Sequence, residues 1–274
     1  MKNIKISFVY LLILVGITSC EEVIELDLAT TEPKVVIEGI ITDQPGPYTV
    51  TIKKTADFYD KNSFPAGTGA NIKITDDEGN VDVLTEVEKG VYQTNTLQGI
   101  LGRTYNLTVD FEGKTYTASS TIPANEIEID SLAYKFEEES LLYDEGYYVT
   151  PYFTDMAGER NYFRLNLFVN GAPYLNDVDG EDVEDNNFNL LDDKFVEGNQ
   201  LDWEFYSALS AGDSIYVELH HLDEATYDYY TTLVEVINGG GMAPSNPITN
   251  ISNGALGYFG AFSIDSDYII LEEE

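Results

Sequence analysis

A series of short β-branched runs, cut at close intervals by turn residues, most constrains what this chain can fold into. Val35-Val36-Ile37-Glu38-Gly39-Ile40-Ile41-Thr42 is long enough for one strand. Gln44-Pro45-Gly46-Pro47 is a turn, and Tyr48-Thr49-Val50-Thr51-Ile52 alternates with period two. Asn71–Thr75, Val81–Val87, Gly90–Gln93, Thr104–Val109 and Lys114–Thr121 read as further strands. Asp76-Asp77-Glu78-Gly79-Asn80 and Glu112-Gly113 read as hairpin turns between them. Phe58–Gly69 reads as a long connection, and Ile122-Pro123 closes the series. About seven short strands at this spacing predict an immunoglobulin-like or fibronectin-like sandwich over residues 33–123.

Residues 126–274 predict a second β-rich domain containing one helix. Strands are expected at Ile127–Leu132, Gly146–Asp155, Asn161–Asn170 and Asp213–Leu222. In the third of these, Tyr162, Arg164 and Asn166 alternate with Phe163, Leu165 and Leu167, so one face is buried. His220 and His221 are adjacent in a strand and point to opposite faces, which sets them apart as structural side chains rather than a shared metal pair. Asp223 is placed to cap a helix over 224–238, and Asn238-Gly239 to stop it. Thr226, Tyr229, Tyr230, Leu233, Val236 and Ile237 form its apolar stripe. After a Gly- and Pro-rich loop, Ala255–Ser263 reads as a strand with closely spaced glycines, a pattern of bulges or close backbone approach. The fold class expected is therefore mainly β.

Charge narrows the partners. The chain carries 49 acidic against 14 basic residues, a net charge of −35, and loss of residues 1–19 with Lys2 and Lys5 takes it to −37. Nucleic acid is excluded, because phosphates need Lys and Arg opposite them. The stretch Asn176–Asp193 concentrates this charge, and Asp177, Asp179, Glu181 and Asp182 are close enough in sequence to gather around one calcium ion. Gly180 comes too early for an EF-hand and no Glu stands at the closing position, so a solvated surface loop is the default and no metal is expected. Asp76-Asp77-Glu78 likewise lacks calcium-loop spacing. No G-x-S-x-G, H-E-x-x-H or reactive Cys is present, and paired carboxylates are expected by chance in so acidic a chain, so the sequence predicts no catalytic set.

The single cysteine, Cys20, forbids an intramolecular disulfide. It follows an n-region with Lys2 and Lys5 and an apolar run from Ile6 to Val15, too short to span a bilayer and of the length of a signal-peptide core. Ile17-Thr18-Ser19-Cys20 supplies an aliphatic residue, two small residues and a thiol, the pattern of a lipoprotein cleavage and acylation site. Residues 1–19 are thus expected to be a signal peptide and 20–32 an acidic tether. The covalent lipid expected is a thioether-linked diacylglycerol on Cys20 with a further acyl chain, such as palmitate, on its amine, and several chains hold a membrane firmly.

Taken together, the cysteine motif, Lys34-Val35-Val36-Ile37-Glu38-Gly39 and the closing Asn250-Ile251-Ser252-Asn253-Gly254-Ala255-Leu256-Gly257-Tyr258-Phe259-Gly260-Ala261 resemble the DUF4249 lipoproteins of Bacteroidetes. The acidic Glu21, Glu22, Glu25 and Asp27 resemble the surface-export signal of lipoproteins from the same bacteria. The resemblance implies an outer-membrane lipoprotein facing the cell exterior, acting as a non-enzymatic binding or accessory partner of a TonB-dependent receptor. It supplies no catalytic residue and no cofactor. The alternatives from the residues are a surface enzyme acting on carbohydrate or peptide, and an adhesin-like structural protein.

Overall fold

The computed structural model describes residues 32–56, 64–158, 160–174, 188–194, 198–238 and 246–273. The first strands are β1 (Val35–Thr42), β2 (Thr49–Lys54), β3 (Asn71–Asp76), β4 (Val81–Val83), β5 (Thr85–Glu88), β6 (Val91–Gln93), β7 (Thr104–Phe111) and β8 (Lys114–Thr121). They are followed by β9 (Ile129–Glu137), β10 (Gly146–Thr154), β11 (Tyr162–Val169), β12 (Ala172–Pro173), β13 (Asn189–Asp192), β14 (Gln200–Asp202) and β15 (Ser214–Leu222). A single helix among the described residues, α1 (Glu224–Ile237), precedes the long final strand β16 (Leu256–Ile270).

Period two decides which side chains go inward. Ile37 and Ile41 of β1, Val50 and Ile52 of β2, Ile72 and Ile74 of β3, and Tyr105, Leu107 and Val109 of β7 meet in one core. Those residues come from two facing sheets, one ordered β4-β3-β7-β8 and one containing β1, β2, β6 and β5. The protein is mainly β in a sandwich-like layout. A second core joins Phe163, Leu165 and Leu167 of β11 and Ile215, Val217 and Leu219 of β15 to Val149 and Phe153 of β10, whose sheet runs β14-β10-β9.

Residues 81–87 depart from the single strand expected of them. They split at buried Leu84, whose N–H donates to the Ile72 carbonyl (2.9 Å), so that β4 joins one sheet and β5 the other. A short segment can cross between layers because Leu84 fills the core at the crossing. Strands β13 and β14, which lack a clean apolar alternation, were not evident from the sequence.

The expected closing strand is also much longer than its glycine-spaced half. Over Leu256–Phe262, β16 pairs in parallel with β1, Val36 beside Leu256 and Thr42 beside Phe262. Over Ser263–Ile270 it pairs antiparallel with β15, His221 beside Ser263 and Ser214 beside Ile270. One strand thus joins the large sheet β12-β11-β15-β16-β1-β2-β6-β5, and the two sequence segments share that sheet.

The helix begins where the sequence places it. The Asp223 carboxylate accepts from Thr226 N (3.0 Å), capping α1, and from Ser120 Oγ (2.6 Å) of β8. Ser120 Oγ in turn accepts from Ala261 N (2.7 Å). One carboxylate therefore ties helix, β8 and β16 together. Thr226, Tyr229 and Tyr230 are buried, and Tyr229 and Tyr230 pack with Tyr258 and Phe262 of β16 in a third apolar cluster. The last turn departs from the expected stripe: Val236 and Ile237 are exposed, because the helix packs on the sheet mainly through its first half.

Two glycines allow close approach along β16, Gly257 to β1 and Gly260 to the helix. Gly257 has φ +89°, and a Cβ there would stand 2.1 Å from the Ile37 carbonyl oxygen of its paired strand. A Cβ on Gly260 would stand 2.9 Å from Thr226 Oγ1. Gly257→Ala is expected to lower stability by about 3 kcal/mol or more, since it combines left-handed strain with a backbone clash. Urea denaturation of the variant against the parent chain measures it.

Candidate binding face

The outer face of β11, β15 and β16 is graded in rows set by register. Tyr162 lies beside Leu222, and Arg164 beside His220 and Ile264. Next come Asn166, Glu218 and Ser266, and then Phe168, Tyr216 and Tyr268. Helix α1 covers the first row through Tyr227, Tyr229 and Tyr230. The last row is open: Tyr216 is 38% and Tyr268 69% exposed. Its three aromatic residues stand side by side on three neighbouring strands, and the Phe168 and Tyr216 rings meet edge-on at 5.6 Å.

Between the covered and open rows lies a polar strip. The Arg164 guanidinium lies over two adjoining rings, 4.8 Å from the Phe188 centroid and 4.6 Å from that of Tyr230, which are themselves 5.6 Å apart. Its Nε has no hydrogen-bond partner, and among the described residues no carboxylate lies within ion-pair distance of it. His220 Nε2 is 3.0 Å from Glu218 Oε2, and its ring stacks on Phe262 at 4.9 Å. Asn166 Nδ2 reaches the same carboxylate at 3.3 Å. The hydrogen bond from His220 holds the Glu218 carboxyl below the usual carboxylate range, against the opposing pull of burial. Burial pushes His220 below the usual imidazole range, so it is neutral near pH 7 and donates to Glu218 through Nε2. Its Nδ1 is then a buried acceptor without a partner.

On the other face, His221 serves the core. Its Nε2 lies 2.9 Å from Asn161 Oδ1, and its ring lies 5.3 Å from that of Phe163. Asn161 bridges two buried carboxylates: its Nδ2 donates to Asp155 Oδ1 (2.9 Å) and its backbone N–H to Asp193 Oδ2 (2.8 Å). Asp155 Oδ2 also takes the Gly198 N–H (2.8 Å). This cluster fastens connecting segments together. The alternation of the two histidines is as the sequence predicts.

The family model for DUF4249, described as a domain of unknown function, matches residues 21–267. The chain belongs to the DUF4249 family. No curated protein matches it.

In this DUF4249 chain the closing segment 250–261 is bound into the sheets. Asn250 mimics a strand, its Oδ1 accepting from Phe259 N (3.0 Å) and its Nδ2 donating to Phe259 O (2.7 Å). Ser252 N donates to Thr117 O (2.9 Å), and Ser252 Oγ accepts from Thr117 N (2.8 Å), which covers the free edge of β8. A shallow depression of about 400 Å³ lies elsewhere, lined by Pro47, Thr85, Gln93 and Asn95 among others. Cys20 and the acidic candidates Asp177, Asp179, Glu181 and Asp182 lie outside the described residues. Asp76 does act in a turn: its Oδ1 accepts from Glu78 N (3.1 Å) and Asn80 N (2.8 Å), and Arg103 pairs with it at 2.9 Å. The graded outer face was not evident from sequence, beyond the alternation in β11, because it depends on which residues of β15 and β16 fall beside which.

Burial also makes His221 a source of acid sensitivity, pushing its pKa down to about 4. In the unfolded chain the ring takes up a proton near pH 6.5. Between those values only the unfolded state gains the proton, so stability falls as pH falls and stops falling from this source below about 4. The window contributes about 3 kcal/mol. His221→Gln is expected to show a correspondingly shallower loss of stability between pH 7 and 4, read from urea midpoints at several pH values.

Proposed function

We propose that this protein is a lipid-anchored, surface-exposed binding protein of the outer membrane, a non-enzymatic accessory of a TonB-dependent receptor. The open half of the outer sheet face carries this reading. It offers exposed aromatic rings and a polar strip on three rigid strands, an arrangement suited to capturing a ligand rather than transforming one. We assign it no catalytic step and no resident cofactor beyond the acyl chains on Cys20.

The anchor and the receptor partnership rest on the cysteine motif at 17–20 and on membership of DUF4249, whose match begins at residue 21. The geometry of β16 suits a tethered protein. Val36, just beyond the tether, lies beside Leu256, and Tyr268 is twelve residues further along the same strand. At strand rise this places the aromatic row ~40 Å from the point where the chain enters the sheet.

Cys20→Ser is expected to block acylation and cleavage, leaving an uncleaved chain absent from the outer-membrane fraction, whereas the parent chain is found there and is cut by protease added to intact cells. Native pull-down of the parent chain is expected to retain a β-barrel receptor. Cleavage of the Cys20→Ser protein and its arrival in the outer-membrane fraction would remove the anchor, and recovery of the parent chain without a barrel would remove the accessory role.

A further inference from the structure

We infer that the open outer face of β11, β15 and β16 binds an oligosaccharide, its rings lying on Tyr216 and Tyr268 and its hydroxyls reaching Asn166, Glu218 and Arg164. This rests on the accessory-binding reading above and names its ligand class.

The aromatic row is the first part of the argument. Phe168, Tyr216 and Tyr268 occupy one register position on adjacent strands, so the row is ~10 Å across, comparable with two linked sugar rings. A pyranose turns a face of weakly positive C–H groups toward such rings, whose faces are negative. Tyr268 at 69% exposure has no packing role that would account for its ring. The next row, ~7 Å along the strands, supplies what ring hydroxyls need. Asn166 both donates and accepts, and Glu218, ionised and still 23% exposed, only accepts.

Arg164 adds an independent observation. In a chain with 49 acidic residues, its guanidinium lies over the adjoining Phe188 and Tyr230 rings, with no carboxylate paired to it among the described residues. Its fixed planar fork suits adjacent oxygens on one ligand. His220 beneath it, 6% exposed, keeps an unpartnered Nδ1.

Other ligand classes fit less well. The backbone groups of β11 and β15 are taken by their neighbours, so a peptide laid across the face would find no main-chain partners for its amides. A polyanion would meet both Glu218 and a net charge of −35. A hydroxyl-rich chain needs neither a sheet edge nor a positive field.

The test is calorimetric titration of the whole processed chain, purified from membranes in detergent. The probes are cellohexaose, xylohexaose, maltohexaose and mannohexaose, all neutral, with a tryptic digest of casein as the peptide arm. At least one oligosaccharide is expected to bind with a Kd of about 1 mM or tighter. Tyr216→Ala and Tyr268→Ala are each expected to weaken it at least about tenfold with the melting temperature unchanged. Binding by none of the sugars, sugar binding untouched by both variants, or Tyr216-dependent binding of the casein digest alone would overturn the inference. Native pull-down of the parent chain is run beside it. A β-barrel still recovered when no sugar binds leaves the accessory role standing and removes only the oligosaccharide.

Discussion

The rest of the structure depends on β16 having two sets of partners along its length. Its first half is hydrogen-bonded in parallel to β1 and its second half antiparallel to β15. Without it each sandwich would expose a sheet edge where the two now continue into one another. Its side chains also divide the labour. Phe259 and Ala261 point into the first core, Ile269 packs on the second, and Tyr258 and Phe262 turn outward to receive the helix. Tyr258 accordingly has its hydroxyl buried against that of Tyr230 at 2.6 Å, and burial pushes its pKa well above the usual phenol range. The helix covers one end of the sheet face and stops, which is why the other end remains open.

Carboxylates outnumber cations so heavily that most have no ionic partner to find, and several of the buried ones hold backbone instead. Asp82 takes the N–H groups of Asn95 (2.9 Å), Thr96 (2.7 Å) and Leu97 (2.8 Å). These bonds hold its carboxyl below the ordinary range even though burial works the other way. Asp43 takes Ile264 N (2.9 Å) just where β16 passes from one neighbour to the next, and Asp223 caps the helix. Acidic residues thereby fix the junctions of a fold that has no disulfide to do so. Arg164, held by rings instead of carboxylates, stands apart from this pattern.

The strands were legible wherever apolar and polar residues alternate cleanly, as in β1, β3, β7, β11 and β15, and so was the helix start at Asp223, because a cap is a local arrangement. What could not be read was pairing. Nothing local in Val81–Glu88 says that the chain changes sheets at Leu84, since the choice depends on where β3 and β6 lie. Val236 and Ile237 continue a helical stripe that the sheet does not extend far enough to cover. The open aromatic face has the same origin. Phe168, Tyr216 and Tyr268 are far apart in sequence and unremarkable singly, and only the registers of two ladders align them. The closing segment, by contrast, stood out for its glycines, and it proves to be the seam that covers the β8 edge and admits the helix.

The parallel pairing of β1 with β16 also has a consequence for the order of events in making the protein. Val36 and Leu256 are hydrogen-bonded neighbours separated by almost the whole body of the chain. The central sheet cannot close until the final strand has emerged, and loops of that length make closure late and slow. Until then β1 has only β2 to pair with, and its other edge stays open.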